Sequence, residues 1–351
     1  MKVAIAHPEA TVRQRLNVFL QDSFSIECAW EADDSRGVRT RFQKEPPDIL
    51  LLSLELKGEV VVELTRDLIR DAPCAILLLE RAGYSDVATV FGCLGQGATD
   101  VARLPENPLT AEPGAWANLR ERFATLKTLA ARDLTEGGTP LATDAIGGDY
   151  LSSPPIVALG ASTGGPKALA TVIGAFPAAF PAAVIIVQHL DAHFYQGLAE
   201  WLAHGSRLPV VAVNAPMAIE AGHIYLAARP EHVVMSPGDR LSFTREWPEL
   251  VSRPSIDVLF NSIAELRGIR GVAALMTGMG RDGAEGLLAL RRAGFYTLAQ
   301  DAPSSVVYGM PRVAAEIGAA TTVLPLDRMG PRIVDKVQAL IRSEQDTGST
   351  S

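Results

Sequence analysis

Cysteine is scarce in this chain. Cys28, Cys74 and Cys93 are the only three, an odd set without metal-ligand spacing. That excludes a disulfide-stapled framework and points to a reducing compartment. Runs of Lys and Arg are also missing: 32 basic residues face 40 acidic ones, for a formal net charge of -8. Lys57 and Arg103, for example, stand among apolar or acidic neighbours. A nucleic-acid partner held through its phosphates is therefore not expected. No apolar run approaches the roughly 20 residues of a membrane-spanning helix, so the chain is not expected to be membrane-inserted. The opening Met1 to Pro8 has too short an apolar part for a signal peptide and reads as a first strand. A cytoplasmic location follows. Histidine is rare too, with six in all, and His189 and His193 lack the Glu of an H-E-x-x-H pair. No metal and no cofactor is expected.

What is present is apolar sequence arranged as alternating strands and helices. Hydrophobic residues make up 48% of the 351, enough for about two domains of roughly 150 residues. Residues 2–104 alternate short apolar runs with helical patterns. Val3 to Ala6 is one such run, and Glu9 to Asp22 then sets Val12, Leu16, Phe19 and Leu20 on one helical face. Asp48 to Ser53 and Ala75 to Leu79 are continuous apolar strands, the pattern of a parallel sheet buried on both faces. A helix is predicted over Ala115 to Arg132. The following segment is rich in Gly, Thr, Ser and Pro, and reads as a linker. From Ile156 a second unit begins, with strands at Ile156–Ala161, Val184–Gln188, Val210–Val213, His223–Ala227, Gly271–Met276 and Tyr296–Gln300. Val233–Ser236 and Leu241–Arg245 flank Pro237-Gly238-Asp239-Arg240 as a β-hairpin. The fold class is α/β, with two doubly wound parallel-sheet domains. The domains are predicted at 1–132 and 154–345, joined by a linker at 133–153, with a disordered tail at 346–351.

The second unit carries the chemistry. Gly160-Ala161-Ser162-Thr163-Gly164-Gly165 stands directly between a strand and a helix starting near Pro166. This G-x-S-x-G turn lifts a serine hydroxyl above the carboxyl edge of the sheet, beside unpaired helix amides. The same turn also suits phosphate binding or plain close packing. His189 ends an apolar strand and so shares that edge, where ligand sites of open parallel sheets lie. His204, in a loop after a helix, His223 and His232 are read as structural, His193, four residues past His189, is not read as a metal ligand, and His7 lies in the other domain. Asp282 stands past a third strand in the glycine-rich turn Thr277 to Gly283. Alone it would be read as an N-cap for the helix Ala284–Arg292. Together, Ser162, His189 and Asp282 supply a nucleophile, a base and an orienter. Their chain order, Ser-His-Asp, differs from the Ser-Asp-His order of α/β-hydrolases, so a separately converged triad is expected.

These blocks resemble a known family, the chemotaxis protein-glutamate methylesterases of the CheB type. The resemblance spans about Ile156 to Ile341. It rests on Gly160–Gly165, Gln188-His189, Arg253-Pro254-Ser255-Ile256-Asp257-Val258-Leu259-Phe260, Thr277–Gly283 and Tyr308-Gly309-Met310-Pro311-Arg312. It implies Ser162 as nucleophile, His189 as base and Asp282 as orienter. It further implies that Thr163 and Met279 line the site, with the Met279 amide as an oxyanion donor. The implied reaction is hydrolysis of glutamate γ-methyl esters on the cytoplasmic helices of methyl-accepting chemoreceptors, with glutamine deamidation in many relatives. A chemosensory histidine kinase is a second partner of this kind of system. Two positions depart from the pattern: Arg281 replaces the usual Asn, and Asp191-Ala192 replaces a common proline pair.

The first half resembles a response-regulator receiver domain that has lost its chemistry. His7 and Pro8 stand where an acidic pair would hold Mg²⁺, with only Glu9 nearby. The resemblance implies a phosphoacceptor Asp ending the third strand, where Ser53 stands, and a Lys after the fifth strand, where Leu104 stands beside Arg103. The expectation is a receiver-shaped domain used for docking or autoinhibition. Two other readings stand beside the enzyme: a non-catalytic chemosensory adaptor docking receptors or kinase, and a phosphate-cradling nucleotide domain. The latter lacks both G-x-G-x-x-G and a P-loop Lys.

Overall fold

The computed structural model describes residues 1–81, 87–108, 110–130, 154–247, 250 and 252–348. The chain divides into two compact units, Met1–Leu134 and Thr135–Ser351. The division falls at the start of the predicted linker, which lies outside the described residues.

The first unit runs β1 (Val3–Ala6), α1 (Ala10–Phe24), β2 (Cys28–Ala32), α2 (Ser35–Lys44), β3 (Ile49–Ser53) and α3 (Val61–Asp71). It continues with β4 (Ala75–Arg81), α4 (Val87–Gln96), β5 (Asp100–Leu104) and, after a short 3-10 turn, α5 (Ala117–Ala130). All strand pairs are parallel, in the order β2-β1-β3-β4-β5. That is the doubly wound order of receiver-type folds. Helix α1 buries Val12, Leu16, Phe19 and Leu20, the face its periodicity predicts. It ends where Ser25 turns left-handed and its amide bonds back to Gln21. The Asp34 carboxylate starts α2 by accepting the Gly37 amide at 2.6 Å.

The second unit runs β6 (Ile156–Ala161), α6 (Gly165–Gly174), β7 (Ala183–Gln188), α7 (Tyr195–Gly205), β8 (Val210–Val213), β9 (Met217–Ala218) and β10 (Ile224–Ala227). Then come β11 (His232–Ser236), β12 (Arg240–Thr244), α8 (Ile256–Ala264), β13 (Gly271–Leu275) and α9 (Ala284–Arg292). It closes with β14 (Tyr296–Gln300), α10 (Met310–Glu316), β15 (Thr322–Leu324) and α11 (Leu326–Gly348). Seven parallel strands form the main sheet in the order β15-β14-β13-β6-β7-β10-β8. β11 and β12 make the predicted hairpin, and the two-residue β9 extends it to three antiparallel strands.

Central strands β6, β7 and β13 are buried along their whole length. Each Val, Leu or Ile fully buried there contributes roughly 1.5–3 kcal/mol. The chain leaves β6 toward β7 on one side and later returns to β13 on the other. The order therefore reverses between β6 and β13, the place where doubly wound sheets open a crevice. Two expectations need correction. His204 lies in the last turn of α7 rather than in a loop, its Nδ1 2.7 Å from the Glu200 carbonyl. Helix α11 continues through Gly348, so residues 346–348 of the predicted disordered tail are helical. No Pro or Gly interrupts the sequence between Pro331 and Gly348, and its Glu and Gln residues favour helix.

Candidate active site

Three neighbouring strands end at the crevice, and each delivers one of the predicted residues. Ala161 of β6 is in register with Gln188 of β7, so Ser162 and His189 are the next residues beyond that pair. The His189 amide continues the ladder, donating to the Ala161 carbonyl at 3.0 Å. On the other side Leu275 of β13 pairs with Gly160, and Asp282 follows in the turn before α9. His189 Nε2 lies 2.8 Å from Asp282 Oδ2. With Nε2–H donating to Asp282, Nδ1 is the ring nitrogen left for a hydroxyl. Ser162 is buried, and among the described residues its hydroxyl makes no hydrogen bond, to His189 or elsewhere. The structure thus brings His189 and Asp282 into contact and leaves the serine beside them unengaged. Unliganded sites commonly tighten such contacts only when substrate is bound.

The turn carrying Ser162 is held from beneath. The Gln188 amide group donates to the carbonyls of Ser162 (2.8 Å) and His189 (3.0 Å), tying the nucleophile turn to the histidine. A side chain at Gly165 would collide with Gln188 Oε1, which explains a second glycine at the start of α6. Thr277, also buried, accepts the Ser162 amide on its carbonyl at 3.0 Å. Its hydroxyl donates to Thr163 O (2.9 Å) and accepts the Val307 amide (2.8 Å). Thr163 is accordingly buried. A Cβ on Gly278 would come within 2.6 Å of Ser162 Cβ, so the next residue, Met279, is placed at the mouth of the site. The Met279 side chain is exposed, and among the described residues its amide has no protein acceptor.

Asp282 does not cap the helix it precedes; Gly283 is the N-cap of α9. Asp282 instead turns to α8. Oδ1 accepts the Ser255 hydroxyl (2.7 Å) and the Asp257 amide (3.1 Å), and Oδ2 accepts the Ile256 amide (2.8 Å). Burial works against its charge. The hydrogen bond and charge of His189, with the Ser255 hydroxyl and the Ile256 amide, outweigh it and hold the carboxyl below its ordinary range. Ser255 is itself fixed by buried His232, whose Nδ1 accepts the Ser255 amide at 3.1 Å. Burial, then the charge of Asp282, pushes the neighbouring Asp257 carboxyl upward. Gln188, Ser255, Asp257 and Thr277 were present in the sequence blocks, yet no local signal assigned them these tasks.

The two departures from the pattern lie at the rim. Arg281 is exposed and pairs with Glu285 at 2.9 Å. Asp191 accepts the His193 amide (3.0 Å) and starts the 3-10 turn Ala192–Phe194. In the first unit, His7 and Ser53 are buried, and the Ser53 hydroxyl accepts the Glu55 amide at 3.1 Å. Among the described residues no group of three His, Cys, Asp or Glu side chains is arranged to hold a metal.

Residues 157–333 match a family model described as CheB methylesterase. The chain belongs to this family. A relative named protein-glutamate methylesterase/protein-glutamine glutaminase 3, from Burkholderia orbicola (strain AU 1054), is 40% identical over 312 residues, covering 88% of this chain and 90% of the relative. Another of that name, numbered 2, from Cupriavidus metallidurans is 38% identical and covers 95% of this chain and 98% of its own. Among solved structures, the Thermotoga maritima CheB methylesterase catalytic domain is 30% identical, with a TM-score of 0.48, covering 52% of this chain and 99% of that one. The CheB methylesterase match contains every part of the site just described.

Proposed function

We propose that the chain is a protein-glutamate methylesterase in which Ser162, His189 and Asp282 are the nucleophile, base and orienter. The observation that carries this reading is the meeting of three strand ends, with His189 and Asp282 bonded at 2.8 Å beside an unengaged Ser162 hydroxyl. The substrate class comes from relatives named protein-glutamate methylesterase/protein-glutamine glutaminase. The substrates are glutamate γ-methyl esters on the cytoplasmic helices of chemoreceptors, and the glutaminase half of those names extends the reading to glutamine deamidation. The adaptor alternative would need no nucleophile, and these relatives are named as enzymes.

In the reaction, the Ser162 hydroxyl attacks the ester carbonyl while His189 Nδ1 takes its proton. Asp282 holds the ring through Nε2–H and stabilises the imidazolium that forms. The Met279 amide donates to the oxyanion, beside Thr163 and the start of α6. The tetrahedral intermediate expels methoxide, which takes the proton from His189 and leaves as methanol. Water, deprotonated by the same ring, then clears the acyl-serine. No step calls for a metal or cofactor.

No helix among the described residues is long and apolar enough to cross a membrane. The chain acts from the cytoplasm on receptor segments that reach it, alongside the receptor-linked histidine kinase. The first unit, with Ser53 at the acceptor position, docks or restrains and does not transfer phosphate.

The test is methanol release from receptor membranes carrying labelled methyl esters, comparing the full chain with Ser162→Ala. Release by the wild type, reduced by at least about 10³-fold in the variant, is expected. Equal release by both would remove Ser162 as nucleophile. No release by either, on receptors from its own sensory system, would restore the adaptor.

A further inference from the structure

Asp257, in the first turn of α8, and Asp282, in the turn before α9, exchange partners. Asp282 accepts from the Ser255 hydroxyl and from the Ile256 and Asp257 amides, all at the start of α8. Asp257 Oδ1 accepts the Gly286 amide at 2.6 Å, in the first turn of α9. Asp282 thus satisfies orphan amides at the start of α8, and Asp257 satisfies one at the start of α9. The helices touch through their backbones at this point: a Cβ on Gly286 would lie 3.0 Å from both Asp257 Cα and Asp257 O. The Asp257 amide is also one of the donors that hold Asp282. One residue therefore grips both ends of the contact, α9 through its carboxylate and Asp282 through its amide.

We propose that Asp257 is a positioning residue, fixing where Asp282 presents Oδ2 to His189 by locking the start of α9 against the start of α8. This rests on the reading of Ser162, His189 and Asp282 as the catalytic set. An acid in the first turn of a helix could equally be a stabilising ornament of α8 alone. That role would make its loss a matter of melting temperature only. The contact to Gly286 runs to another helix, across 29 positions of sequence, and that helix begins two residues after Asp282. Slack there moves the orienter. A displacement on the order of 1 Å at such a group costs as much as about 10²-fold in rate.

The experiment compares wild type, Asp257→Ala, Asp257→Asn and Asp257→Glu in the full chain, with two readouts. One is kcat and KM for methanol release from methylated receptor membranes. The other is the proton NMR resonance of the His189 Nε2–H bonded to Asp282, assigned by its loss in His189→Gln. D257A is expected to lower kcat about 10- to 100-fold, with KM within about two-fold, and to shift or broaden the resonance. D257N keeps an oxygen for the Gly286 amide and should recover most of both. D257E pushes the carboxylate one methylene further and should recover less than D257N; this comparison decides the matter if D257A does not fold. Wild-type kcat and an unmoved resonance in D257A, or in D257E where D257A is unfolded, would overturn the proposal. If the wild type releases no methanol, the catalytic reading fails, and the His189 resonance still decides whether Asp257 positions Asp282.

Discussion

His7, which the receiver resemblance sets at the position of a metal-holding carboxylate, is buried completely. Its Nδ1 accepts the Glu9 amide at 3.1 Å, while Nε2 has no partner among the described residues. Burial, helped by the nearby Arg81 and Arg13 charges and opposed by Glu9, pushes its pKa down to about 4. The native state therefore keeps His7 neutral over a range where the unfolded chain, with an ordinary value of 6.5, takes up a proton. Stability is lost as pH falls from about 6.5 toward 4, and the loss levels off below that. Asn at this position keeps an acceptor for the Glu9 amide and does not titrate. Relative to His7→Asn, the wild-type first unit should lose on the order of 2 kcal/mol between pH 7.5 and pH 4.5. Thermal unfolding of both proteins at the two pH values checks this. A difference that does not change with pH, or changes in the opposite direction, would show that His7 is not held neutral.

At the scale of elements, the turn between β13 and α9 carries two glycines with similar backbone angles and different surroundings. Gly280 has φ +88° and open space around its missing side chain. Gly283 has φ +87°, and a Cβ there would come within 2.6 Å of Ile256 Cγ2 and of Leu275 Cδ1. Alanine at Gly280 meets only the left-handed backbone penalty, about 1–2 kcal/mol. Alanine at Gly283 adds overpacking of roughly 1–3 kcal/mol and pushes on Ile256, whose amide holds Asp282. G283A should therefore melt lower than G280A and lose more kcat, as denaturation and methanol release would show. If the two variants match in both, the turn is not a rigid mount for Asp282. The same elements show what the sequence made legible. β6, β8 and β14 keep the limits their apolar runs predict, and Ser162, His189 and Asp282 stand out because each follows such a run. β9 and β15 escaped because they are two and three residues long and owe their form to pairing with β12 and β14. The roles of Ser255 and Thr277 escaped for a similar reason. Ser255 reaches Asp282 across 27 positions, and Thr277 reaches Thr163 across 114, distances that only the folded sheet closes.

Across the whole molecule, two units with separate apolar cores have met different demands. The second holds Ser162, His189 and Asp282, the nucleophile, base and orienter proposed above, with the amides around them. The first has the β2-β1-β3-β4-β5 order and, on the reading proposed above, lacks the acids of a phosphate switch. Arg81 lies 3.0 Å from Glu9 and 3.7 Å from Glu55, so a cation of the chain already meets these two carboxylates. Ser53, which the resemblance sets at the acceptor position, is 1% exposed and its oxygen is engaged by the Glu55 amide. An uncharged, covered hydroxyl has neither the metal-held geometry nor the nucleophilicity of a receiver aspartate. Acetyl phosphate with Mg²⁺ should therefore leave the intact mass of the full chain unchanged, and methanol release should proceed at the same rate with and without it. A phosphate adduct mapped to a peptide containing Ser53 or Glu55, with a changed rate of release, would make the first unit a switch. An unmodified chain with an unchanged rate means that whatever this unit does to the esterase is done by contact, and the search for its regulator turns from a phosphodonor to a docking partner.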